Sequence, residues 1–144
     1  MTSKSKPVIV DTNIVFSALL RGESRFSEIL LRTDHKPFVC EYVIIELFKH
    51  KDRLLKASRL SEQDILRVLY LLLKRLNLYK EDLISTENYS AALALCADID
   101  ENDTPHVALT LELDGLLWTG DKKLKNGLQR KGFNRFFELD ATNR

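Results

Sequence analysis

The sequence predicts an α/β fold, a three-layer α/β/α sandwich around an open, mainly parallel sheet of about five strands. Three observations carry that prediction. Short apolar runs of strand length at residues 8–10, 38–40 and 116–119 alternate with longer stretches whose apolar residues recur at helical spacing. Strands that alternate with helices imply right-handed parallel crossovers. The five glycines and three prolines stand as single punctuation marks, with no repeat, low-complexity tract or linker, so the 144 residues are expected to form one continuous domain over 1–144. Apolar residue types, at 44% of the chain, are enough for a core of that size.

Residues 8–10 form a β-branched strand closed by Asp11, and residues 12–20 a helix that Gly22 ends. A second helix is expected over 25–32. Residues 38–40, after Pro37, read as a buried strand, and 42–57 as one long helix. Ser61 with Asp64 three residues on resembles a capping box that opens a helix over about 62–76. That helix is apolar on nearly every side, so it needs cover, either within the core or at an interface with a second copy or a partner. A short strand at 78–79 and an alanine-rich helix over 88–97 follow. Asp103 stands at the N-cap of a helix to about 113, Gly115 closes it, 116–119 is a buried strand, and Asp121 starts a helix through 130. The last strand is expected over 136–139.

Charge is nearly balanced, 22 basic against 21 acidic residues, and the net charge of +1 excludes a polycation that coats nucleic acid in bulk. An anionic substrate would have to be met by a local patch. Cys40 and Cys96 are too few for a disulfide framework and lack metal-ligand spacing, so both read as small core residues in a reducing compartment, with the cytoplasm expected. Residues 1–7 are polar and basic, and only Val8, Ile9 and Val10 follow, which is short of a secretion signal. The greasiest stretch, 65–73, contains Arg67 and is far shorter than the ~20 residues of a membrane span. No membrane association is expected.

In parallel sheets, ligands sit beyond the carboxyl ends of the strands. Asp11 and Asp121 both follow strands, so both belong at that edge. Asp103 opens the helix leading into the 116–119 strand, which places it near the opposite end unless the preceding loop lifts it. Spacing leaves both positions open. Glu46 shares a polar helix sector with Lys49 and His50, bordering an apolar face of Val43, Ile44, Leu47 and Phe48. Carboxylates that converge repel one another unless protons or a cation compensate. Hard oxygen donors without His or Cys clusters suit Mg2+ or Mn2+ better than zinc. Near a phosphodiester, such an ion would assist hydrolysis. Each acid also has a plainer explanation: helix capping for Asp11, Asp103 and Asp121, and a surface pairing with Lys49 or His50 for Glu46. Asp100 reads as a solvated loop residue or an outer support, and His106 as a partly buried polar residue.

The residues in order resemble PIN domains. Val-Ile-Val-Asp-Thr-Asn at 8–13, Ile45-Glu46-Leu47 on a helix, Asp100 and Asp103 leading into Val107-Ala108-Leu109, and Leu117-Trp118-Thr119-Gly120-Asp121-Lys122-Lys123-Leu124 match in order and spacing over about 8–139. The resemblance implies that Asp11, Glu46, Asp103 and Asp121 form the acidic, catalytic metal-binding set, and that Asp103 reaches the pocket. It also implies supporting positions at Asn13, Thr119 and Asp100. Cleavage of single-stranded RNA is the implied activity. Among small stand-alone members it implies the VapC-like toxin half of a toxin-antitoxin pair, a homodimer with a possible antitoxin partner. Two basic clusters flank the acids: Lys49, His50, Lys51, Arg53 and Lys56, and Lys122, Lys123 and Lys125. They are candidates for the RNA backbone, or ordinary solvated faces.

Competing readings fit less well. A response-regulator receiver would need paired acids after the first strand and a lysine ending a late one, where this chain has Thr12-Asn13 and Thr119. A haloacid-dehalogenase phosphatase would need a second aspartate at Asn13. The alternative from another class is a catalytically inactive PIN fold serving as an RNA-binding or protein-interaction module. Its weakness is that a cluster of negative charge gains nothing in binding RNA.

Overall fold

The computed structural model describes residues 6–21, 36–58 and 60–138. The helix expected over 25–32 and the end of the last strand lie outside them. Four strands, β1 (Val8–Val10), β2 (Pro37–Cys40), β3 (Asn77–Tyr79) and β4 (Leu116–Trp118), form one parallel sheet in the order β3-β2-β1-β4. Val8 pairs with Pro37 on one side and with Leu116 on the other, which puts β1 at the centre.

The side-chain period of two sends alternate residues of each strand to opposite faces. Val8, Val10, Val39 and Trp118 join one core, and Ile9, Cys40 and Leu117 the other. On the first face lie α1 (Thr12–Arg21), α2 (Tyr42–Lys49), α3 (Lys51–Ala57) and α4 (Glu62–Arg75); on the second lie α5 (Thr86–Cys96), α6 (Thr104–Leu113) and α7 (Lys122–Arg130). Residues 104–110 of α6 are all buried, as expected of a helix enclosed between the sheet and α5. Ser61 caps α4 as its spacing predicts, accepting from the Asp64 N–H. Both cysteines are buried, and burial pushes the Cys96 thiol up to about 11 and Cys40 higher still.

Three expectations need correction. Among the described residues the fifth strand is one bridge, Leu117 to Phe136. Leu116 and Trp118 turn their backbone groups toward β1, so only Leu117 faces the outer edge, donating to Arg135 O and accepting from Phe137 N, each at 2.9 Å. The long helix over 42–57 breaks at His50, whose φ of −110° and ψ of 19° divide α2 from α3. There the His50 ring meets Phe16 edge-on, with centroids 6.1 Å apart, a tertiary contact that no local glycine or proline announces. Helix α6 is closed by Asp114 in the left-handed conformation (φ 52°). Gly115 serves close approach instead, because a Cβ there would lie 2.6 Å from Pro7 O.

Helix α4 answers the question of cover in two ways. Ile65 and Leu72 enter the core, while Leu66, Tyr70, Leu71 and Leu73 stay exposed. Of these, Leu66 and Leu73, with Phe48, which is 77% exposed, border an apolar groove of about 280 Å³ between α2, α3 and α4. Among the described residues no helix is long and apolar enough to cross a membrane.

Candidate functional site

At the carboxyl ends of β1 and β4 the chain turns from strand to helix twice, and each turn leaves an aspartate at the sheet edge. Asp11 is almost fully buried. Its backbone N–H donates to Trp118 O at 3.2 Å, which ties the two strand ends together. Its Oδ1 accepts from the Ile14 N–H at 3.0 Å, and the Asp121 Oδ1 accepts from the Leu124 N–H at 3.1 Å. Both are therefore true N-caps. Capping occupies only part of each group, since an ionised carboxylate offers about four acceptor sites. Thr119 couples the pair: its hydroxyl is hydrogen-bonded to Asp11, and its Oγ1 accepts from the Asp121 N–H at 3.1 Å. Burial raises the Asp11 carboxyl above its ordinary value against these hydrogen bonds, and the Asp121 charge adds to the rise.

Asp103 behaves differently. It closes a 3-10 turn (Glu101–Asp103) in front of α6, and its side chain makes no cap hydrogen bond. The turn is held by Asp100, whose carboxylate accepts from the Asn102 N–H at 3.0 Å and whose carbonyl accepts from the Asp103 N–H at 3.1 Å. This loop lifts Asp103 into the same pocket as Asp11 and Asp121. Burial first, then the charges of Asp100, Asp11, Asp121 and Glu46, push its carboxyl up to about 7.

Glu46 reaches the pocket from α2, where its neighbours one turn away on either side hold it. The Tyr42 hydroxyl is hydrogen-bonded to its carboxylate, and His50 Nε2 stands 3.9 Å from Oε2. His106 lines the pocket from α6 at 2% exposure; its Nε2 is 3.4 Å from Thr12 Oγ1, and its Nδ1 has no partner among the described residues. Burial pushes this imidazole down to about 4, so it is neutral at neutral pH.

The pocket, of about 160 Å³, thus brings together Asp11, Asn13, Glu46, Asp100, Asp103 and Asp121. Thr119 sits beside it, bound to two of them. Lys49, Lys51, Arg53, Lys122 and Lys123 are exposed and do not line it. Sequence reasoning missed Tyr42 and Asn102; the four-residue spacing of Tyr42 and Glu46 on a helix was the available signal for the first. As placed, no three acidic, imidazole or thiolate groups among the described residues stand close enough to clasp one ion. The donor chemistry nevertheless fits a hard divalent cation. Five carboxylates share one small cavity, and their crowding, added to burial, gives Asp103 a proton affinity that a cation could replace.

A family model described as PIN domain matches residues 9–138. Among solved structures, VapBC2 from Rickettsia felis bound to a DNA fragment from their promoter is similar, with a TM-score of 0.63 and 20% identity, over 83% of this chain and 92% of that one. At that identity the likeness speaks for the fold alone. No curated protein matches the sequence.

Proposed function

The chain belongs to the PIN domain family, whose members are generally nucleases, and from that premise we propose that it is a metal-dependent endoribonuclease that hydrolyses phosphodiester bonds in single-stranded RNA. The observation that carries the proposal is the meeting of Asp11, Glu46, Asp103 and Asp121 in one pocket with the Asp103 carboxyl driven up to about 7. We assign these four to holding Mg2+ or Mn2+. When bound, such an ion acidifies a water for in-line attack and offsets charge on the leaving oxygen.

The remaining residues position the set. Thr119 locks Asp11 to the turn that carries Asp121, Asp100 holds the turn that presents Asp103, and Asn13 adds a polar group at the rim. Tyr42 and His50 steady Glu46 along its helix. Lys49, Lys51, Arg53, Lys122 and Lys123, exposed on α2, α3 and α7, meet the RNA backbone as point charges.

We place the protein in the cytoplasm as one domain and as the toxin of a toxin-antitoxin pair, with the VapBC2 likeness as support. The apolar groove of α2, α3 and α4 offers the surface for an antitoxin or a second copy in a homodimer. The alternative, an inactive module, draws on the spacing of the acids; the retention of all four speaks against it.

Thermal unfolding across a Mn2+ series, for wild type and Asp11→Asn, tests the reading, because a ligand of the native state alone raises its melting temperature. A rise in the wild type that shrinks in the variant, with a loss of RNA cleavage of at least about 100-fold, is expected, since even outer-shell changes cost ~10–100-fold. Unchanged cleavage in Asp11→Asn would remove that residue from the mechanism.

A further inference from the structure

A second cavity, of about 230 Å³, is lined by Thr119 and Gly120, the residues that run directly into Asp121 of the acid pocket. Thr119 belongs to both neighbourhoods, lining this niche while its hydroxyl is bonded to Asp11. A substrate phosphate held at the acids would therefore present its adjoining nucleoside to the niche. The walls are apolar and largely ring surfaces: Ile14, Phe136, Phe137 and Trp118, with the last two rings 5.2 Å apart between centroids. Flat apolar walls are what a base taken from single-stranded RNA stacks on.

The open end is polar in a specific way. Lys125 lies with its Nζ 5.5 Å from the Phe136 ring centroid and is ion-paired with Glu138 through Oε2. The pairing does not exhaust either group. An ammonium has three donors, and a carboxylate has acceptor sites on both oxygens. Together they present one cationic donor and a two-oxygen acceptor side by side. Guanine carries the matching edge: O6 accepts, while N1–H and the N2 amino group donate as a parallel pair that a carboxylate receives at both oxygens. Adenine and uracil lack two adjacent donors, and cytosine has one donor beside two acceptors.

We propose that this niche is a guanine subsite, with Glu138 taking N1–H and N2–H, Lys125 giving a hydrogen bond to O6, and the apolar walls stacking the ring. It rests on the ribonuclease reading for the origin of the ligand. It places sequence preference in Lys125 and Glu138, outside the acidic set.

Trp118 is the chain's only tryptophan and lines the niche, so its fluorescence reports entry without metal or cleavage. The test is titration of wild type with guanosine, adenosine, cytidine and uridine 5′-monophosphates in the presence of EDTA. Saturable quenching is expected with a Kd for the guanosine nucleotide roughly tenfold or more below the others, in keeping with one bidentate base contact. Glu138→Gln, at an exposed position, should erase that advantage while the weak common binding remains. Equal affinities, preference for another base, an undiminished preference in Glu138→Gln, or no quenching would each overturn the subsite. Selective quenching in a protein that cuts no RNA would overturn the nuclease reading and leave the subsite standing.

Discussion

The acid pocket and the apolar groove are both unfinished surfaces, of opposite chemistry. In the pocket, the backbone is fully engaged and charge is left uncompensated: Asp11 and Asp121 cap helices, yet Asp103 is driven up to about 7 by burial and its neighbours. In the groove, apolar area is left in water, with Phe48 77% and Leu66 56% exposed, and only Lys51 and Glu62 bring charge to its lining. The pocket stands at strand ends, where position is set by the sheet. The groove stands on helix faces, where one stripe enters the core and the next is free to meet something else. A site that needs precision is built on the rigid edge, and a surface that needs area is built on the helices.

The comparison breaks most sharply within the groove helix itself. Leu72 and Leu66 both lie on α4, but Leu72 is wholly buried. Leu72→Ala should cost about 2–5 kcal/mol in urea unfolding, whereas Phe48→Ser, on the groove's exposed rim, should stay within about 0.5 kcal/mol. Equal effects would mean that the groove is covered in the isolated protein.

A smaller effect sharpens the pocket side. Tyr42→Phe removes the hydroxyl that holds Glu46 and leaves the ring; Mn2+ affinity, read from the melting-temperature series, should fall by ~10–100-fold with the fold intact. An unchanged affinity would show that Glu46 needs no such support.

The third effect is a slope with pH. The Asp103 carboxyl sits at about 7 in the folded protein against an ordinary value of 3.8, so the native state holds a proton that the unfolded chain releases. Its contribution to metal-free stability is fully present below pH 3.8 and is lost as pH rises through about 7. His106 runs the other way: with its value lowered from 6.5 to about 4, its contribution holds above pH 6.5 and is lost as pH falls toward 4. Urea midpoints between pH 4 and 8 should therefore lose less stability on the alkaline side in Asp103→Asn than in wild type. Identical profiles would remove Asp103 as the source.

These contrasts also mark what was legible in the sequence. The α/β alternation, β1, β2 and β4, the Ser61 cap and the strand-end places of Asp11 and Asp121 follow from local periodicity and turn chemistry, and the structure has them. Asp103 was ambiguous because its place depends on a 3-10 turn held by Asp100, which helical periodicity does not encode. The break at His50 coincides with a ring contact to Phe16, more than thirty residues away. The reduction of the fifth strand to a bridge at Phe136 follows which way the groups of Leu117 face, a property of the sheet that the local sequence does not encode. Local pattern announces elements; contacts between distant elements decide where they stop.

The strand order has a consequence in time as well as space. The central strand, β1, precedes its partner β4 by more than a hundred residues of chain. A nascent chain therefore carries Asp11, Glu46 and Asp103 before Asp121 has been made. The last crossover must close a very long loop before Asp121 and the Thr119 tether can arrive, which is the slow, non-local kind of pairing. A copy that stops short of β4 holds Asp11 and Glu46 and cannot complete the pocket.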